Sequence, residues 1–203
     1  VRILREEIAE LLQGGASLIQ LDEPILTEVV FGTPHHQRTF MCGALSERGE
    51  TAEELSFAAG LLNRVTQGFP PERLAMHVCR GNWSPDESVA LTGGYEHLLP
   101  LFHQLEFGTL FLEMCTPRAG DMAILKELPG KVRIGVGVVN PKDPKVESIE
   151  SVYDHAKLAA SFVGLDRIWL NPDCGFATFA DNPVTNAETA SQKLAVIVEA
   201  ARR

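Results

Sequence analysis

The sequence predicts an α/β protein whose strands lie parallel in one sheet. Three observations carry this reading. Five short apolar runs, rich in Val, Ile and Leu, recur along the 203 residues. Segments with apolar residues at helical spacing alternate with them. The connections between runs are long enough to cross a sheet face, as parallel pairing requires.

The elements follow in order. REEIAELLQGG reads as a helix stopped by Gly14 and Gly15. ASLIQLDEP is a buried strand ending at Asp22, with Pro24 breaking it. Residues 25–50, with Gly32, Pro34, His35, His36 and Gly49, form a mixed excursion from that strand's C-terminal end. TAEELSFAAGLLNRVTQ is a helix, and Thr51 with Glu54 makes a capping-box start. RLAMHVC is the second strand, GNWSPDESVALTGGYEH a loop, HLLPLFHQL a short helix and TLFLE the third strand. MAILKELPG is a helix with a glycine stop. KVRIGVGVVN is the fourth strand, and its glycines point to close approach by backbone or ligand. SIESVYDHAKLAASFVG is the next helix and DRIWLNPDCG the fifth strand with its loop. NAETASQKLAVIVEAARR closes the chain as a helix, with Asn186 as N-cap and Glu188 at the favourable end of the helix dipole. No repeat or low-complexity tract interrupts residues 1–203, so one domain is expected.

Five strand–helix units fit either a doubly wound sheet or a (β/α)8 TIM barrel short of its first part. A complete barrel takes about 250 residues. Position favours the barrel. Asp22, His77, Cys79, Glu113, Asn140 and Cys174 fall at the C-terminal ends of different strands, where barrel enzymes assemble their sites.

Bulk properties exclude several function classes. Net charge is −9 with no Lys/Arg cluster, so nucleic acid is not an expected partner. No apolar run approaches the roughly 20 residues that span a bilayer, and VRILREEIAE reads as a helix, not a signal peptide. Four cysteines, Cys42, Cys79, Cys115 and Cys174, are too few for a disulfide-stapled fold. Reduced thiols in a cytoplasmic protein fit better. Because the chain enters a helix directly at Val1, it is expected to be cut from a larger protein.

The chemistry concentrates at MHVCRGNW, residues 76–83. Side chains alternate along a strand, so His77 and Cys79 face the same side. Zinc takes cysteine sulfur, histidine nitrogen and carboxylate oxygen, usually four ligands in all. His77, Cys79, Glu113 and Cys174 supply that number. Their long spacing indicates a site built on a finished scaffold, unlike the short CxxC pairs of structural zinc. Two thiolates and a carboxylate around Zn²⁺ leave a net charge of about −1. Such a centre is a poor activator of water and a good holder of a nucleophilic thiolate. Glu113, the hard oxygen ligand among soft ones, is the one to yield to an incoming sulfur. Cys42 and Cys115 read as small buried hydrophobes. His35, His36, His97, His103 and His155 read as loop or helix-surface residues, with His35 and His36 near the site mouth. Trp83 and Trp169 read as packing residues.

LIQLDEP, MHVCRGNW, LFLE, IGVGVVNPKDP and LNPDCGFAT, in that order, resemble the catalytic barrel of the cobalamin-independent methionine synthase family, in its short single-barrel form. The resemblance implies a zinc methyltransferase forming methionine from homocysteine, with a methylfolate or methyl-corrinoid donor. It implies zinc ligands at His77, Cys79, Glu113 and Cys174, and assigns Asp22 to the substrate amino group. The family's first three strands have no counterpart in this sequence, nor do the residues they contribute to substrate binding. Two other readings stay open: thiol transfer to another electrophile, such as an epoxide, and an inactive zinc-binding fragment. A zinc hydrolase is disfavoured by the thiolate-rich ligand set.

Overall fold

The computed structural model describes residues 1–32, 50–81, 84–177 and 183–203. Five strands form one sheet: β1 (Ile19–Glu23), β2 (Leu74–Val78), β3 (Thr109–Leu112), β4 (Arg133–Val139) and β5 (Ile168–Pro172). They lie in sequence order, and every neighbouring pair is parallel. A doubly wound sheet reverses its order at a switch point. This sheet has no reversal, so the doubly wound alternative falls.

The helices are α1 (Arg2–Gln13), α2 (Ile25–Phe31), α3 (Thr51–Thr66), α4 (Leu99–Phe102), α5 (Ile149–Val163) and α6 (Ala187–Ala201). The Asn186 side chain caps α6 by accepting from the Thr189 N–H, as its sequence position predicts. Ser148 does the same for α5 through Ser151.

Three local expectations fail. Pro24 ends β1 but opens α2 at once, because a proline has a helix-compatible φ and no N–H to lose there. The α3 N-cap is Glu50, without a side-chain cap bond, so Thr51 already lies inside the helix and the capping box does not form. MAILKE is a 3₁₀ helix, Met122–Glu127, capped by Asp121.

Burial divides the sheet. Every residue of β2 is buried, as is all of β4 beyond Arg133. The outer strands β1 and β5, each paired on one side among the described residues, are only partly covered. Trp169 on β5 packs as expected, against the Phe111 ring at 6.3 Å and under the Arg133 guanidinium at 4.4 Å, while staying 38% exposed at the sheet edge. The expected close approach at the β4 glycines is present. A Cβ on Gly135 would overlap the Phe111 ring, and one on Gly137 would overlap Asp173 Oδ1. Among the described residues, no helix is long and apolar enough to cross a membrane.

Candidate metal centre

Parallel register sets Asp22 beside His77 across the β1–β2 ladder. Their side chains meet, with Asp22 Oδ1 3.3 Å from His77 Nδ1. The other ring nitrogen, Nε2, is 3.4 Å from the Asp173 carbonyl oxygen. Just beyond β2, the Thr27 hydroxyl donates to the Cys79 carbonyl at 2.6 Å and pins that turn. Cys79 Sγ then lies 3.9 Å from Cys174 Sγ, which follows β5.

Glu113 follows β3 and is 1% exposed. Its carboxylate is held at both oxygens. Oε1 accepts from the Arg80 backbone N–H at 2.8 Å, and Oε2 from Arg118 at 3.3 Å. Its backbone is held by the buried Tyr95 hydroxyl, which accepts from Glu113 N at 3.0 Å and donates to Glu113 O at 3.1 Å. Arg80, fully buried, stacks on the Tyr95 ring at 4.2 Å and donates to the Gly93 carbonyl. Arg118 also pairs with Glu87, which accepts from Asn140 Nδ2 at 2.6 Å. Asn140 therefore braces Glu87 and stands outside the ligand group.

The ligand atoms of His77, Glu113 and Cys174 all lie within 4.8 Å of one another. Cys79, the fourth expected ligand, is not part of that mutual cluster; its Sγ lies against Cys174 Sγ at 3.9 Å. Three strand ends thus bring two thiols, an imidazole and a carboxylate together, a donor set that suits zinc. The Asp22 contact strengthens the fit, because a metal-bound histidine usually donates its other N–H to a carboxylate or carbonyl.

Protonation follows the crowding. Burial pushes the Glu113 carboxyl up, and the nearby Asp173 adds to this. The hydrogen bond it shares with Cys79, then burial, push the Cys174 thiol up. For His77, burial opposes the imidazolium, but the Asp22 hydrogen bond and the charges of Cys79 and Glu113 outweigh it and raise its pKa. Asp22 is correspondingly lowered, chiefly by its hydrogen bond to His77. Clustered negative charge and burial thus favour the protonated forms here, and a divalent cation would relieve that charge.

A cavity of about 610 Å³ opens in front of this cluster. Asp22, His77, Cys79 and Cys174 line it, with Phe111 and Leu194 among its apolar walls. The Asp22 side chain is 69% exposed, whereas Glu113 lies behind the wall. Cys115, two residues past Glu113, turns away and sets its Sγ 2.9 Å from Asp173 Oδ2. His97 and His103 lie on the surface as expected, and His155 is half-buried on α5. His35, His36, Cys42 and Trp83 lie outside the described residues.

Four residues that organise the site escaped the sequence reading: Arg80, Tyr95, Arg118 and Asp173. Two carried a signal. Arg80 is a cation directly behind the HVC run, and Asp173 is a carboxylate next to a candidate ligand. Tyr95 and Arg118 sit in ordinary loop sequence.

The family model of the cobalamin-independent synthase catalytic domain matches residues 1–203. A methionine synthase of Pyrococcus furiosus is 26% identical over 200 residues, covering 98% of this chain and 47% of that protein. A 5-methyltetrahydropteroyltriglutamate–homocysteine methyltransferase of Bacillus subtilis is 28% identical over 176 residues, covering 86% of this chain and 20% of that one. The chain thus spans about half the archaeal relative and a fifth of the bacterial one. A solved B12-independent methionine synthase from Shewanella sp. W3-18-1, in complex with selenomethionine, has a similar fold, with TM-score 0.73 and 21% identity. That match covers 98% of this chain and 52% of the other.

Proposed function

The chain belongs to the cobalamin-independent synthase family through its catalytic domain, and from that membership we propose that it serves zinc-dependent methyl transfer to the thiol of homocysteine, forming methionine. The observation that carries the proposal is the convergence of His77, Glu113 and Cys174 within 4.8 Å, with Cys79 against Cys174. These four residues would hold the ion. Bound zinc would supply the Lewis acidity that keeps a substrate thiol ionised at neutral pH.

The chain's own residues do the rest. Asp22, at the cavity wall and kept ionised by His77, receives the substrate ammonium group. Its contact with His77 also orients the imidazole. Phe111 and Leu194 give the cavity apolar surface beside the sulfur position, which limits water there. Arg80 and Arg118 keep the Glu113 carboxylate in place. In the transfer, the substrate sulfur attacks the methyl carbon, an S–C bond forms, and the donor leaves with the electron pair of the broken bond. The donor is a methylated folate or a methyl-corrinoid.

The sheet is proposed to be five-eighths of a (β/α)8 barrel. Its sequential parallel order and the half-covered edge strands β1 and β5 support this reading. Three further strands would close it and cover edges that otherwise invite aggregation. A mass measurement showing a 203-residue natural product with no partner chain would refute that completion. The thiols of Cys79, Cys115 and Cys174, reduced in this structure, suit the reducing cytoplasm as the place of action.

Incubating the zinc-loaded natural protein with homocysteine and either methylcobalamin or a methylfolate tests the function. Methionine should form from one of the donors. A zinc-loaded protein that makes none from either would point to a different thiol reaction or to an inactive module.

A further inference from the structure

We propose that Asp173 is a positioning residue that locks the strand ends carrying the four candidate ligands, and that Cys115 serves this lock as a hydrogen-bond donor. The inference rests on the zinc reading above.

Asp173, which directly follows β5, is fully buried and touches three other strands. Its Oδ1 accepts from the backbone N–H groups of Met114 and Cys115, at 2.8 and 2.9 Å, just past β3. Its Oδ2 accepts from the Cys115 thiol at 2.9 Å. Its own N–H donates to Val139 O at the end of β4, at 3.0 Å. Its carbonyl oxygen lies 3.4 Å from His77 Nε2 on β2. Gly137 on β4 leaves the space its carboxylate occupies, since a Cβ there would overlap Oδ1.

The neighbours of these contacts are the candidate ligands. Cys174 is the next residue, one peptide away from Asp173. Glu113 precedes the two residues whose N–H groups Asp173 holds. A metal site needs its donors placed within a few tenths of an ångström, and loops make poor rulers unless tied down. A carboxylate with three donors, shared between the β3 and β5 loops, sets the Glu113-to-Cys174 separation. Three donors also answer the cost of burying the carboxylate.

The test uses the natural full-length protein, stripped of metal and titrated with Co²⁺ as the probe. Co²⁺ affinity and the thiolate-to-cobalt absorption are read together, beside thermal unfolding of the metal-free form. Asp173→Ala should weaken Co²⁺ binding about 10- to 100-fold and alter the absorption. Asp173→Asn keeps an oxygen for the two backbone N–H groups and should recover most of the loss. Cys115→Ala should weaken binding several-fold with the thiolate absorption intact, and Cys115→Ser, which keeps a donor, should match the wild type. Wild-type affinity and spectrum in Asp173→Ala would overturn the proposal. So would a Cys115→Ala variant that loses thiolate absorption as Cys79→Ser does. If Asp173→Ala fails to fold, the two Cys115 variants decide, and equal affinities would overturn the lock. Absence of thiolate absorption in the wild type would sink the zinc reading and this proposal together. Its presence, with unaffected variants, would sink the lock alone.

Discussion

The ends of β2 and β3 carry the same pattern and use it differently. Each presents a candidate ligand followed two residues later by a cysteine: His77 with Cys79, and Glu113 with Cys115. Both cysteines lie just past the end of their strand. Past β2, Cys79 meets another thiol, Cys174 Sγ at 3.9 Å. Past β3, Cys115 meets the Asp173 carboxylate at 2.9 Å. Burial and the Asp173 charge push the Cys115 thiol far up, which keeps it protonated and a poor metal ligand. The difference shows that spacing brings a thiol to a site, while the acceptor opposite decides its role.

The strongest way to break this comparison is to exchange the sulfurs. Cys79→Ser and Cys174→Ser are expected to lose most bound zinc, while Cys115→Ser retains it. Elemental analysis of the three purified variants reads the result, and equal retention in all three would erase the distinction.

Asp22 sharpens the β2 side. Asp22→Asn should weaken homocysteine binding about tenfold, the scale of one hydrogen bond to a charged group. Zinc should stay bound, with a smaller loss of affinity through the contact to His77. Isothermal titration with homocysteine measures the first effect, and an unchanged affinity would remove the amine role.

Acidity probes the shared centre. The His77 and Cys174 pKa values are raised, which favours the protonated form of both groups. Zinc must displace those protons, so its affinity rises with pH, by about tenfold per unit for each proton released. Chelator competition across neutral pH would show the slope. A flat profile would mean that the ligands are already deprotonated.

The last effect concerns the stability of the β3 side. Tyr95→Phe removes the hydroxyl that both accepts from Glu113 N and donates to Glu113 O. Leaving that buried N–H unpaired should cost about 1–3 kcal/mol of stability. Denaturant unfolding checks this, and a loss within about 0.5 kcal/mol would show that the Tyr95 anchor is dispensable.

Much of the architecture was legible in the chain. Val- and Ile-rich runs such as IGVGVV mark buried parallel strands, because both faces of such a strand are covered. Asn186 announces its helix through a bond made three residues away. The failures were local as well. Whether Pro24 ends a segment or starts one depends on what lies above the strand end, and a proline fits both. MAILKE has a helical pattern, yet it folds as a 3₁₀ segment capped by Asp121.

By itself, the sequence determined the strand rhythm, the placement of polar residues at strand ends, and the pairing of His77 with Cys79 on one face. These follow from backbone alternation and short-range caps, which act over a few residues. Only the tertiary structure decided that Asp22 faces His77, that Arg80 and Tyr95 clasp Glu113, and that Asp173 takes Cys115. The Asp173–Cys115 contact spans 58 residues of chain and the Asp22–His77 contact 55. The physical reason is that strand register and the order of strands in the sheet set such encounters, and no local pattern encodes how far a buried carboxylate lies from the donors that satisfy it.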